Sequence, residues 1–248
     1  MVHMTVPGQS ERDDAGVRVH GSGLMPAHVV DIDGLRVTSV ARTAVDLARA
    51  GDLSHALVAT DSALRLLLAT SYPDLNGRLR QGTVSAGDVE CARGELTDVV
   101  ATMTGWPGVR TARTAVAAAD PASESPFESW SRGWIVAVGL PSPVLNLALT
   151  GASGRRYFGD FVWPEHGVVG EADGIGKYGA SGDQVRTAIR AERERQLDLE
   201  AAGWRFVRWV VGDSGATIVA RLGRALYLPP VVTARAVEES IGFRGLGR

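Results

Sequence analysis

Two short apolar runs, Tyr157–Trp163 and Val168–Ala172, are separated only by Pro164-Glu-His-Gly167. Aromatic and β-branched residues bounded by a Pro/Gly turn predict two antiparallel strands of one hairpin. A hairpin this apolar has to be covered, which demands a layered fold with helices packed on a sheet. Three acids break the apolar pattern: Asp160 in the first run, then Glu171 and Asp173 at the end of the second. Alternation puts Glu171 and Asp173 on one face of their strand. The hairpin register sets Asp160 nearly opposite Glu171, within reach of one ion. Two carboxylates that close repel each other unless a cation or a proton lies between them. A hard divalent ion, Mg²⁺ or Mn²⁺, takes carboxylates, a backbone carbonyl such as that of Ala172, and waters. It would activate water for phosphodiester attack. Lys177 follows on a glycine-rich loop, positioned to offset developing charge. The plainer alternative is that these acids close strand ends and pair with arginines.

The flanking sequence extends the pattern. Ser123 is expected to cap a helix to about Val138, closed by Gly139-Leu-Pro141. Val144–Leu149 reads as a strand, and Gly151–Gly154 as its hairpin turn. The loop Gly174–Gly182 leads to a helix from Asp183 to Ala202, stopped by Gly203. Trp204–Val211 is a fourth strand, and Asp213 opens a last helix to about Tyr227. The predicted class is therefore α/β (α+β) with an α-β-β-β-α-β core, and the apolar third strand is expected to be central. On the long helix Val185, Ala188, Ile189, Glu192, Gln196 and Leu199 share a face, so Glu192 and Gln196 interrupt an inward stripe, with Arg193 and Arg195 beside it. Glu128 either approaches the same cleft or pairs with Arg132 one turn on.

Upstream the rhythm differs. Val2–Val6, Val17–His20 and Leu35–Thr38 read as short strands. Ser39 caps a helix over Arg42–Arg49. Leu53 to Leu67, Val89 to Met103 and Val109–Ala119 carry helical spacing. The expected parts are a mostly helical region over 1–120, a domain over 121–228 and a tail over 229–248.

Composition narrows the function classes. The chain has 248 residues, 45% of them hydrophobic, and a net charge of -2. That balance excludes a generally basic nucleic-acid coat protein. One cysteine excludes a disulfide framework or a cysteine-rich zinc module. The five histidines are scattered, without zinc-hydrolase spacing, and no G-x-x-x-x-G-K-[ST] loop for ATP or GTP occurs. No apolar run reaches the roughly 18 residues of a membrane span, and the start lacks the apolar stretch of a signal peptide. A cytoplasmic location is expected, with no membrane partner. Of 26 basic side chains all but Lys177 are arginine, which draws attention to that position.

The pattern Gly159-Asp160-Phe-Val-Trp-Pro164, then Val169-Gly-Glu171-Ala-Asp173-Gly174, then Lys177-Tyr178, resembles the PD-(D/E)xK restriction-endonuclease-like superfamily. More narrowly it resembles actinobacterial proteins related to very-short-patch-repair endonucleases. Ser125-Pro-Phe-Glu128-Ser129 upstream fits the same likeness, as does Glu192-Arg-Glu-Arg195 leading to Gly203-Trp-Arg-Phe-Val-Arg208 downstream. The likeness spans about residues 123–225. It implies Glu128, Asp160 and Glu171 as metal ligands and Asp173 and Lys177 as catalytic groups. Glu192, Arg195 and Gln196 would support them. The usual lysine two places after the second acid is replaced here by Asp173, with Lys177 displaced. Gln196 stands where the family more often has Glu.

The run Gly34-Leu-Arg-Val-Thr38-Ser-Val-Ala-Arg42-Thr-Ala-Val-Asp46-Leu-Ala48 resembles the linker of AbiEi-type antitoxins from type IV toxin–antitoxin systems. There a winged helix comes first, so this chain is expected to start within that architecture. Two functions follow as expectations. One is a metal-dependent endonuclease acting on DNA, in phage defence or repair. The other is a non-catalytic antitoxin-like regulator that binds DNA or a toxin partner, with a homodimer as a further possibility.

Overall fold

The computed structural model describes residues 2–174 and 182–227. Lys177, Tyr178 and the expected tail over 229–248 lie outside the described residues.

The N-terminal segment forms two small sheets. β1 (Val2–Thr5), β2 (Arg12–Asp14) and β3 (Val17–His20) give the order β1-β3-β2, with β1 parallel and β2 antiparallel to β3. β4 (Val29–Ile32) and β5 (Leu35–Thr38) form a hairpin. Its turn, Asp33-Gly34, has φ of 52° and 81°, the left-handed pair that matches strand twist. β2 and β4 are not marked by apolar runs: β2 is Arg-Asp-Asp with no apolar residue, and Asp31 breaks the run of β4.

Five helices follow: α1 (Val40–Ala50), α2 (Leu53–Ala69), α3 (Leu75–Arg80), α4 (Ala86–Ala101) and α5 (Val109–Ala118). Ser39 Oγ accepts from Arg42 N at 3.2 Å, the cap expected from the sequence. The helices share one core containing Val45, Leu57, Leu64, Leu96, Met103 and Ala112. α3 was not foreseen. Gly77 breaks its periodicity, and its start is fixed by Asp74 Oδ1 accepting from Gly77 N at 3.2 Å. Arg42 of α1 is buried. It donates to Gly23 O at 2.9 Å and to Asp46 Oδ2 at 2.7 Å, tying α1 to the segment before the hairpin.

The remaining elements are α6 (Pro126–Ala137), β6 (Val144–Thr150), β7 (Arg156–Trp163), β8 (Val168–Asp173), α7 (Gly182–Ala201), β9 (Arg205–Val210) and α8 (Gly215–Ala225). Their order is the expected α-β-β-β-α-β core followed by a helix. The sheet runs β6-β7-β8-β9. β7 is antiparallel to both neighbours, and β9 is parallel to β8, with α7 as the crossover. β8 is interior, as its unbroken apolar run predicts, and buries Val168 to Glu171.

Each face of the sheet has its own cover. Phe161, Trp163, Val168, Val207 and Trp209 pack with Ile135 of α6 and Ile218 and Leu222 of α8. Leu149, Val162 and Val169 pack with Leu199 of α7. Ile189 does not join the inward stripe: it is 60% exposed. Leu199 near the end of α7 reaches the core, whereas residues 186–191 are exposed. Two caps also differ from expectation. Ser125, not Ser123, caps α6, and Ser214, not Asp213, caps α8.

The apolar cores divide near residue 120, yet α6 also packs tightly against α2. A Cβ added at Gly133 would lie 2.3 Å from Ser54 Cα, so only glycine permits the approach. The buried pair Asp61–Arg132 bridges the same two helices.

Candidate active site

The site begins with a break in β7. A Cβ on Gly159 would lie 2.8 Å from Val162 Cγ2 and 3.0 Å from Val169 Cγ1. Residues three apart in a regular strand point to opposite faces, so alternation slips between Gly159 and Val162, at Asp160. The β6–β7 pairing skips there, from Leu145↔Phe161 to Leu147↔Gly159. Asn146, the β6 residue between them, takes φ 47° and donates from Nδ2 to Ala122 O at 2.6 Å. Such a break re-aims a side chain. Asp160 Oδ2 accepts from Ala172 N of β8 at 3.1 Å, which brings it beside Glu171.

Glu171 is 6% exposed and faces α7. Its Oε2 lies 2.8 Å from Arg195 Nη2, while its Oε1 is buried without a hydrogen-bond partner among the described residues. Burial, then the charge of Asp160, pushes the Glu171 carboxyl up to about 7, with Arg195 and Arg208 acting in the other direction. Arg195 also donates from Nε to Glu192 Oε2 and from Nη2 to Glu192 Oε1, both at 2.9 Å, and from Nη1 to Phe158 O at 3.2 Å. Arg208 donates from Nη2 to Glu192 Oε1 and from Nη1 to Asp173 Oδ2 at 3.4 Å. Burial opposes the ionisation of Glu192. The hydrogen bonds from Arg195 and Arg208 outweigh it and hold the carboxyl at about 2.

The structure therefore brings together Asp160, Glu171, Asp173, Glu192 and Arg195. It adds Arg208, which the sequence reading did not single out as a site residue. Its signal was of the same kind as that of Asp160, a charge inside the apolar strand Phe206-Val-Arg-Trp209. Two expected members turn elsewhere. Glu128 closes a capping box at the start of α6: its Oε2 accepts from Glu124 N at 2.8 Å, and its Oε1 from Ser125 Oγ at 2.7 Å. Nor does it pair with Arg132, which reaches Asp61 instead. Gln196 donates from Nε2 to Glu200 Oε1 at 2.6 Å, along its own helix.

Among the described residues, no group of three or more His, Cys, Asp or Glu side chains is gathered to hold a metal ion. Asp160 and Glu171 make a set of two, with one buried oxygen lacking a hydrogen-bond partner among those residues. Mg²⁺ keeps several waters and is commonly held by one or two carboxylates, so this donor chemistry fits such an ion without Glu128.

A pH effect follows from Glu171. Its carboxyl titrates near 7 in the fold against an ordinary 4.5. The folded state holds the extra proton between those values, so this group's stabilisation is full below about pH 4.5 and is lost as pH rises through 7. A glutamine amide cannot titrate. In EDTA, Glu171→Gln should gain on wild type by up to about 3 kcal/mol between pH 4.5 and 8. Urea unfolding at both pH values reads this. A pH-independent difference would contradict the placement of Glu171.

Two Mycobacterium tuberculosis proteins are similar to the chain: uncharacterized protein MT2308 of strain CDC 1551 / Oshkosh and uncharacterized protein Rv2248 of strain ATCC 25618 / H37Rv. Each is 29% identical over 228 residues, which covers 91% of this chain and 73% of the relative. The likeness thus takes in both the helical region and the sheet domain. No family model matches the chain. No solved structure matches it. No helix among the described residues is long and apolar enough to cross a membrane.

Proposed function

We propose that the chain is a divalent-cation-dependent endonuclease that hydrolyses DNA phosphodiester bonds. The observation that carries this reading is the meeting of Asp160 and Glu171 at the break in β7, with one Glu171 oxygen buried and without a hydrogen-bond partner among the described residues. The α-β-β-β-α-β order and the PD-(D/E)xK-like spacing support it.

Asp160 and Glu171 would hold Mg²⁺ or Mn²⁺. When bound, the ion supplies Lewis-acid polarisation and a lowered pKa for water. The chain's own part is positioning. Arg195 grips Glu171 Oε2 and leaves the buried Oε1 without a hydrogen-bond partner among the described residues. Glu192 fixes both Arg195 and Arg208. Arg208 in turn holds Asp173 at the end of β8. Lys177, by resemblance, would offset charge on the phosphate. In this reading the protein serves phage defence or repair in the cytoplasm.

A second reading has an observation of its own. Arg195 already pairs with Glu171, and among the described residues no three acids are placed so that they could hold one metal ion. Both features suit a non-catalytic, AbiEi-type regulator that binds DNA or a toxin. Supercoiled plasmid separates the two. Mg²⁺ with the full chain should yield open circles, and EDTA should yield none. Folded chain that leaves the plasmid intact with both Mg²⁺ and Mn²⁺ supports the regulator.

A further inference from the structure

β9 is an edge strand, bonded to β8 alone among the described residues. An open edge invites pairing with another chain unless something covers it. Here the cover is charged. Arg221 of α8 donates from Nη1 to Arg208 O at 3.2 Å, over the edge. Beside it runs a groove of about 420 Å³ lined by Phe206, Val207, Arg208, Arg221, Arg224 and Ala225. Three guanidinium-bearing residues and no acid form its walls.

The arginines differ in how far they are already satisfied. Arg208 is held by Glu192 and Asp173. Arg221 pairs with Asp213 at 2.8 Å. Arg224 is exposed, and its side chain has no hydrogen-bond or ion-pair partner among the described residues. It stands one helical turn from Arg221, so both present donors on the same side of α8. At the end of this helix the Tyr227 ring is 77% exposed, with the Arg205 guanidinium 4.3 Å from its centroid.

We infer that this groove binds the phosphodiester backbone of a nucleic acid, with Arg224 as its open phosphate contact. The inference rests on the nuclease reading and extends it by naming where the substrate lies. Guanidinium donors match phosphate oxygens in pairs. Tyr227, three residues past Arg224 and outside the groove lining, has one ring face under Arg205 and offers the other for stacking on a base, which an acidic peptide would not use. Arg208 lines the groove and also reaches Glu192 and Asp173, so a strand in the groove meets the arginine that ties those two acids together.

The test measures fluorescence anisotropy of a short labelled DNA duplex with the full chain, with Ca²⁺ in place of Mg²⁺ to suppress cleavage. Arg224→Gln is compared with Arg224→Glu and with Arg113→Gln, an exposed arginine on α5 outside the groove. Arg224→Gln should weaken binding roughly fivefold and flatten the salt dependence by about one unit of slope. Arg224→Glu should weaken it further, and Arg113→Gln should match wild type. If wild type binds DNA and both Arg224 variants bind equally well, the groove assignment is overturned while the nuclease reading stands. An equal loss in Arg113→Gln overturns it too, since the effect would then be general charge. Competition by polyglutamate as strong as by unlabelled DNA overturns the nucleic-acid assignment. A wild-type chain that does not bind DNA overturns the groove and the nuclease reading together.

Discussion

Asp160→Asn and Glu171→Gln should each slow nicking of supercoiled plasmid by about 10²–10³-fold, the scale seen when one charge-stabilising group leaves an active site. Both substitutions keep shape. In Asp160→Asn the amide oxygen can still accept from Ala172 N, preserving the contact that Asp160 makes at 3.1 Å. In Glu171→Gln the amide oxygen can still accept from Arg195. What each variant loses is negative charge at the point where two carboxylates meet, and therefore the hold on a cation. Circular dichroism matching wild type separates this loss from unfolding. Variants that nick as fast as wild type would place any activity elsewhere.

Arg132→Met should destabilise the chain by about 3–5 kcal/mol. Arg132 pairs with Asp61, which is fully buried between α2 and α6, and also donates from Nη1 to Ala118 O. Burial pushes the Asp61 carboxyl up, while Arg132 and the hydrogen bond from Asp120 N hold it down. Removing the guanidinium leaves a buried acid with the backbone contact at 2.9 Å as its main remaining support. Asp61→Asn keeps an acceptor for that N–H and needs no counter-charge. The double variant Asp61→Asn with Arg132→Met should therefore recover more than half of the loss. Urea unfolding measures all three chains. Additive losses in the double variant would mean that the two side chains act independently.

Much of the sheet domain was legible because its strands are apolar runs cut by Pro and Gly. Val168–Ala172 had to be interior, and it is. The acids in those runs were legible for the same reason: a charge in an apolar strand needs a partner. Arg208 obeys that rule as well and was a missed reading rather than a missing signal. Glu128 was misplaced because Ser-Pro-Phe-Glu is also a capping box, and local hydrogen bonds to Ser125 and Glu124 held it at its own helix end. The break at Asp160 was not legible. Alternation assumes a regular strand, whereas here Gly159 and Val162 share a face through a slip that depends on Asn146 across the ladder. Ile189 and Gln196 show the limit of helical periodicity. Ile189 lies in the exposed stretch 186–191, whereas Gln196 sits between Glu192 and the buried Leu199 yet bonds along its own helix, and periodicity distinguishes neither case.

The central claim is that Asp160 and Glu171 together hold one divalent cation. Calorimetric titration of Mn²⁺ into the full chain tests it most directly, run beside Asp160→Asn and Glu171→Gln at about pH 8, where the Glu171 carboxyl is ionised. One ion should bind per wild-type chain, and the binding should be lost in both variants. Wild-type chain that takes up no Mn²⁺, or variants that bind it equally well, would contradict the account.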